Sequence, residues 1–412
     1  MKRLFAAFFA LLLTLFISPL WTMAAPPPEN DRVPAQILVR FKAQTPQAVI
    51  DAQLKSNNAK VVGRVAALDV LVVNVPQTTE DRVITALSKN PNVEYAEPDG
   101  LAFASLVPND PYFVPNQWGL ENTGQAIKGQ VGTVDADINT PKAWETTTGS
   151  VKVAILDTGV DQSHPDLSSK IVDKVDDQKN FTDSLTIDDL YGHGTHVSGI
   201  VAAITNNNTG VAGVCPDCRL LNGKVLNDSG SGAYSWVSNG IIWATNSGAK
   251  VINMSLGGSA KSTTLENAVN YAWNHGVVVV AAAGNSANPS KTYPGAYKNA
   301  IAVASTNNLD QKSYFSSYGA NWVDVAAPGE NIFSTFPTHP YVINKSLGYD
   351  FGSGTSMATP MVSGTAALIW STKYGTSVSA VRNRLESTAD KIPGTGTYWL
   401  AGRIDAAAAV AP

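Results

Sequence analysis

The sequence predicts an α/β fold: a parallel sheet with helices on both faces, preceded by a small α+β unit. Two observations predict the main fold. Short apolar runs such as Val151–Leu156 and Val277–Ala283 are separated by longer helical patterns, an alternation that implies parallel strands joined by crossover helices. Several of these runs end in turns rich in Gly, Asp, Asn or Ser, and the ligand crevices of such sheets lie at that carboxyl edge. A third observation predicts the smaller unit, because residues 36–98 read strand, helix, two strands, helix, strand.

Taken in order, Met1 to about Ala25 has the build of a signal peptide. Lys2 and Arg3 precede a nearly unbroken apolar run to Leu20, and the small residues Ala24 and Ala25 follow. Residues Pro26–Pro34 read as a Pro-rich spacer. Gln36–Phe41 is a strand, Thr45-Pro46 opens a helix to about Asn58, and Lys60–Val75 holds two strands around Ala67-Leu68-Asp69. Thr79-Glu80-Asp81 caps a helix through Lys89, and Val93–Pro98 is a last strand. This β-α-β-β-α-β order is ferredoxin-like. The run Asp99–Val107 reads as flexible.

In the main unit Val151–Leu156 is a buried strand closed by Asp157-Thr158-Gly159. Gly192 and Gly194 flank His193, and a small-residue helix runs from Thr195 onward. Arg219–Leu226, Lys250–Leu256 and Val277–Ala283 are strands; Trp236–Ser247 and Thr263–His275 are the helices between them. Shorter strands follow at Ala300–Ser305 and Trp322–Ala326. Ser356 opens an apolar helix, Met357–Trp370, with Pro360 in its first turn, where a missing N–H costs nothing. No internal repeat is evident.

The chain has 412 residues, enough for a large core and a smaller domain, and a formal charge of −4 with no Lys/Arg cluster. A nucleic-acid partner is not expected from such a balance.

Asp157, His193 and Ser356 each sit where a serine-nucleophile triad needs them. A hydroxyl becomes a good nucleophile when an imidazole takes its proton, and a buried carboxylate fixes that imidazole's tautomer. The chain order Asp, His, Ser separates the known solutions. An α/β-hydrolase places histidine after serine, and no histidine follows His339; a chymotrypsin-like enzyme places histidine first. The subtilisin order remains. His196 lies nearly a helical turn from His193 and His164 sits in the loop after the first strand, so both read as structural. Val277–Asn285 adds a strand, a glycine turn and an amide N–H₂ from Asn285 at the same edge, which suits an oxyanion donor.

These segments carry a resemblance. Asp157-Thr-Gly-Val, His193-Gly-Thr-His-Val-Ser-Gly, Ser255-Leu-Gly-Gly258, Ala281-Ala-Ala-Gly-Asn285, Ala327-Pro-Gly329 and Gly354-Thr-Ser-Met-Ala-Thr-Pro360 together resemble the secreted subtilisin-type serine peptidases (subtilases) of the thermitase-like kind. The resemblance runs from about Pro108 to the C-terminus. It implies a subtilisin-like fold, endopeptidase activity on protein and peptide substrates, and an extended cleft. Ser255, Leu256 and Gly257, with Ala282, Ala283 and Gly284, resemble the two backbone walls of the primary specificity pocket; neither wall carries a charge, so broad or apolar preference is expected. The ferredoxin-like unit resembles an inhibitory propeptide with processing in Asp99–Val107. The expected boundaries are 1–25 signal peptide, 26–105 propeptide and 106–412 peptidase domain. The expected product is a secreted, extracellular monomer, free of the membrane once the signal is removed. Alternative readings are an inactive binding relative, which would be expected to lose a triad residue, and a general secreted esterase.

The resemblance further implies a calcium ion held by Asp110, Asp166, the Asn207 amide and the carbonyls of Ile204, Thr209 and Val211, a set of oxygen ligands that suits this cation. The Asp-rich stretch Asp173–Asp189 reads equally well as a second, weaker ion site or as a solvated loop. Cys215-Pro-Asp-Cys218 is the only cysteine pair, and in a secreted chain a short-loop disulfide is favoured over redox or zinc chemistry.

Overall fold

The computed structural model describes residues 32–100, 107–171, 173 and 175–412. The expected signal peptide, the start of the spacer and residues 101–106 of the expected processing run lie outside the described residues.

The N-terminal unit comprises β1 (Arg32–Phe41), α1 (Gln47–Ser56), β2 (Lys60–Val65), β3 (Val70–Asn74), α2 (Glu80–Ser88) and β4 (Val93–Gly100). Its antiparallel sheet has the order β2-β3-β1-β4. Alternation along β1 turns Ile37, Val39 and Phe41 into a core shared with Leu54, Val73, Val83 and Leu87. Two boundaries differ from the sequence reading. Arg32–Pro34 belongs to a strand and not to a spacer, and Asp99 and Gly100 extend β4 into the run expected to be flexible, because Arg32 pairs with Gly100 across β1 and β4.

A short helix α3 (Phe113–Asn116), a small hairpin of β5 (Ala126–Ile127) and β6 (Gln130–Val131), and α4 (Thr140–Trp144) lead into the main unit. There β7 (Lys152–Asp157), β8 (Gln178–Asn180), α5 (His193–Ala202), β9 (Arg219–Lys224), α6 (Tyr234–Asn246), β10 (Val251–Met254), α7 (Thr263–Asn274), β11 (Val278–Ala282), β12 (Ala300–Thr306) and β13 (Val325–Pro328) alternate. The seven strands form one parallel sheet ordered β13-β12-β11-β10-β7-β9-β8. A second hairpin, β14 (Ile332–Thr335) with β15 (Tyr349–Gly352), precedes α8 (Thr355–Trp370); α9 (Val378–Ser387) and α10 (Ala406–Val410) close the chain.

The strand alternation explains the two covered faces. Val153 and Ile155 of β7 enter a core with Val197 and Val201 of α5 and Val362, Ala366 and Ile369 of α8. Ala154 and Leu156 point the other way, into a core with Val237 and Ile241 of α6 and Leu265 and Val269 of α7. From β7 the chain first adds β8 and β9 on one side and then crosses to β10 on the other. The β7–β10 boundary is therefore the switch point at which a crevice opens beyond the strands' carboxyl ends. Strand β13 starts at Val325 and not at Trp322, because the Trp322 and Val323 N–H groups turn back to the Gly319 carbonyl at 3.0 and 2.8 Å, and the Asp324 carboxylate takes the Ala302 N–H at 2.8 Å.

Candidate active site

Asp157 is the last residue of β7, fully buried, and its Oδ1 lies 2.8 Å from Nδ1 of His193. The same oxygen accepts from the Thr158 N–H at 2.7 Å. His193 opens α5, and Gly192 before it adopts φ 104°, a left-handed conformation that brings the backbone against the Tyr341 ring. Burial works against a charged imidazole here, but the Asp157 carboxylate, its hydrogen bond and the nearby Asp189 charge outweigh it, so the His193 pKa is raised.

Ser356 stands in the first turn of α8, where backbone N–H groups lack helical partners. Its Oγ donates to the Ser255 carbonyl at 3.1 Å, and Ser255 Oγ donates back to the Ser356 carbonyl at 2.8 Å. Among the described residues this bond, and none to His193, holds the hydroxyl. Asn285 follows β11, and its Oδ1 accepts from the Thr355 N–H at 2.9 Å and the Thr355 hydroxyl at 3.0 Å. Pinning the carbonyl in this way leaves Nδ2 as the free donor. Thr355 Oγ1 also accepts from the Gly284 N–H at 3.0 Å, tying the two loops together.

Two cavities meet at His193. One, of about 400 Å³, is lined by Leu226, Tyr234, Val237, Ser255, Leu256 and Gly257 among others, with no carboxylate, Lys or Arg among the described residues. The other, of about 480 Å³, is lined by Asn285, Ser356, Met357, Phe351, Lys128 and Lys345 among others. Ala282 and Ala283 are buried at the end of β11 and line neither cavity.

His196 is buried, donates to the Ile332 carbonyl at 3.2 Å and packs on Phe336; burial pushes its pKa down to about 3, so it stays neutral. His164 is likewise buried, with Nε2 against the Gly348 carbonyl at 2.9 Å. Cys215 and Cys218 are joined, with 2.04 Å between sulfurs.

The residues named for calcium converge from three parts of the chain. Asp110 accepts from the Asn206 N–H at 2.9 Å, and Asp166 accepts from Asn207 Nδ2 at 2.7 Å, the Val211 N–H at 3.0 Å and the Tyr349 hydroxyl at 3.0 Å. Both carboxylates are buried. Desolvation, with the Asp166 charge behind it, raises the Asp110 pKa. Among the described residues no hydrogen bond reaches the carbonyls of Ile204, Thr209 or Val211. Two buried carboxylates beside open carbonyls are a donor set that fits a divalent cation. Asn207 Oδ1 accepts from the Thr209 N–H at 2.7 Å, which leaves it a second lone pair.

Sequence reasoning missed Asp189. It is fully buried, not solvated, and it accepts from Thr158 Oγ1, the Gly192 N–H, the Thr195 N–H and Thr195 Oγ1 at 2.7–2.8 Å. Elsewhere in the acidic stretch, Asp177 is buried and pairs with Lys152 at 2.7 Å. The one available signal was position, since Asp189 precedes the Gly192-His193-Gly194 turn by three residues.

A model of the subtilase family matches residues 148–402, and one of the fervidolysin N-terminal prodomain matches residues 22–99. Thermitase of Thermoactinomyces vulgaris is 51% identical over 304 residues, 74% of this chain and 99% of that protein. A thermophilic serine proteinase of Bacillus sp. (strain AK1) is 43% identical over 390 residues, 92% and 88% of the two. A solved protease from Pseudoalteromonas arctica PAMC 21717 superposes with a TM-score of 0.65 at 35% identity, covering 74% of this chain and 99% of that one. The chain belongs to the subtilase family and is a subtilisin-type serine peptidase with an N-terminal prodomain.

Proposed function

We propose that the chain is made as a secreted, self-processing zymogen whose mature part, beginning near residue 106, is an extracellular endopeptidase of broad or apolar preference. The observation that carries this reading is the 2.8 Å contact between buried Asp157 and His193 at the edge of the cleft that Ser356 and Asn285 also line.

In the proposed mechanism Ser356 Oγ gives up its bond to the Ser255 carbonyl, loses its proton to His193 Nε2, and attacks the peptide carbonyl. Asp157 holds the Nδ1 proton and stabilises the imidazolium. The oxyanion receives hydrogen bonds from Asn285 Nδ2 and the Ser356 N–H, donors that are already in place and need no reorganisation. His193 then protonates the departing amine, leaving an acyl-enzyme at Ser356, and activates water to release it. The uncharged cavity of Leu226, Tyr234, Val237 and Leu256 supports an apolar preference on the acyl side.

Asp110, Asp166, Asn207 and the carbonyls of Ile204, Thr209 and Val211 would hold calcium, which when bound would neutralise the paired carboxylates and cross-link three distant segments. The N-terminal unit would serve as an intramolecular inhibitor until cleavage near residues 99–107. The test is Ser356→Ala: peptide hydrolysis is expected to vanish and the prodomain to stay attached. An active, normally processed Ser356→Ala protein from a host without other proteases would refute the assignment.

A further inference from the structure

We infer that the leaving-group side of the cleft contains a subsite for a carboxylate, built around Lys128, within two residues beyond the scissile bond. The inference rests on the serine-peptidase reading above and deepens it. The two cavities that meet at His193 differ in charge. The one walled by Ser255, Leu256 and Gly257 has no Lys, Arg, Asp or Glu among the described residues. The other starts at Ser356 and Asn285 and is lined by Lys128, Lys345 and Asp350. If the first takes the acyl part of the substrate, the second takes the segment that departs.

Lys128 reaches this cavity from the turn of the β5–β6 hairpin, where it adopts φ 50° and is followed by Gly129 at φ 85°. These left-handed values at both central positions suit a tight two-residue turn. The turn projects the side chain so that Nζ lies 4.4 Å from the centroid of the Phe351 ring, on the cavity wall. A cation over an aromatic face is held in place without being neutralised. The one carboxylate among the described residues that line the cavity, Asp350, is already engaged. Asp350 Oδ1 accepts from the Phe351 N–H at 2.7 Å and Oδ2 from the Ser346 N–H at 3.1 Å. Burial would raise its pKa, but these bonds and the adjacent Lys345 hold it down, so Asp350 stays ionised beside Lys345. Among the described residues Lys128 has no carboxylate within ion-pair distance. Among the described residues Lys128 is therefore a cation of this cavity without a carboxylate partner, set over an aromatic ring and lining the same space as Ser356. The complementary ligand is a carboxylate, carried by a Glu or Asp side chain or by the free C-terminus of a short substrate.

The test uses the mature enzyme and internally quenched peptides with one fixed acyl side. The first or second residue after the scissile bond is Glu, Gln or Lys, and a second set ends at that position as the free acid or the amide. For Glu over Gln, or acid over amide, the expected kcat/KM ratio is roughly two- to fivefold at low salt, as for a partly exposed ion pair, and it should shrink as salt screens the pair. Lys128→Gln should bring the ratio to about one, and Lys128→Glu should invert it in favour of Lys. The set that responds identifies the source of the carboxylate. Equal ratios in wild type and both variants, or no preference in a wild-type enzyme that cleaves the Gln peptides well, would overturn the subsite while leaving the serine-peptidase reading intact. Failure to cleave any peptide of the series would remove both.

Discussion

Thr158 and Asp189 are joined by a buried hydrogen bond of 2.8 Å, and the same Thr158 hydroxyl accepts from the Gly194 N–H at 2.9 Å. One side chain thus connects the residue after Asp157 to the residue after His193. The Asp189 carboxylate completes the clamp by taking the N–H groups of Gly192 and Thr195. The distance between the acid and the imidazole is set by this arrangement, which touches neither substrate nor reacting atoms.

Asp189→Asn keeps the shape but puts a donor where only acceptors fit, leaving buried N–H groups unpaired. A stability loss of about 3 kcal/mol is expected, with kcat reduced at least about tenfold for a misplaced His193. A purely structural role would leave the pH profile unmoved. Because the Asp189 charge helps raise the His193 pKa, the acid limb of kcat/KM should also shift to lower pH in the variant. Thermal unfolding and a pH–rate profile decide between the two.

His193 itself sets the pH dependence. Its pKa is raised from the ordinary 6.5, and it must be neutral to take the serine proton. Activity should therefore rise with pH through a midpoint above 6.5. Asp157→Asn removes the attraction that raises this pKa, so the midpoint should fall, and kcat should drop by about 10⁴-fold. An acid limb that stays in place in Asp157→Asn would contradict the pairing.

Asn285→Ala removes a donor whose orientation is fixed by Thr355. The expected loss is about 10²- to 10³-fold in kcat with little change in KM, the size already measured for the corresponding donor in a subtilisin. A change confined to KM would place Asn285 in substrate binding instead.

Calcium should stabilise the mature enzyme by about 4 kcal/mol at a thousandfold excess over its dissociation constant. Chelation should lower the unfolding temperature and speed autolysis, while the initial rate on a small peptide stays constant. Asp110→Asn should blunt the response to both calcium and chelator. Equal unfolding temperatures of the wild type with excess calcium and with chelator would remove this site.

The alternating elements were legible because their side chains follow the pleat: Val153 and Ile155 against Ala154 and Leu156 can be read as two buried faces. Asp157, His193, Asn285 and Ser356 were legible because each stands at the end of an apolar strand or the start of a small-residue helix. Other features were not. Gln178–Asn180 is a three-residue polar edge strand with no period to detect, and the β14–β15 pairing depends on a long intervening loop. Asp189 could not be told from Asp173, Asp176 or Asp183, since composition does not say which carboxylate of an acidic run the fold turns inward. Lys128 was invisible for the same reason: only the hairpin turn brings it to Phe351.

The most direct measurement of the central claim is covalent trapping. The mature enzyme is inactivated with an excess of a fluorophosphonate, which reacts with a hydroxyl only where a neighbouring base activates it, and the adduct is located by peptide mapping. The expected result is one adduct per molecule, on Ser356, formed in step with loss of activity and absent from His193→Ala. A fully inactivated enzyme whose adduct lies on another residue, or equal labelling of Ser356 in His193→Ala, would contradict the account.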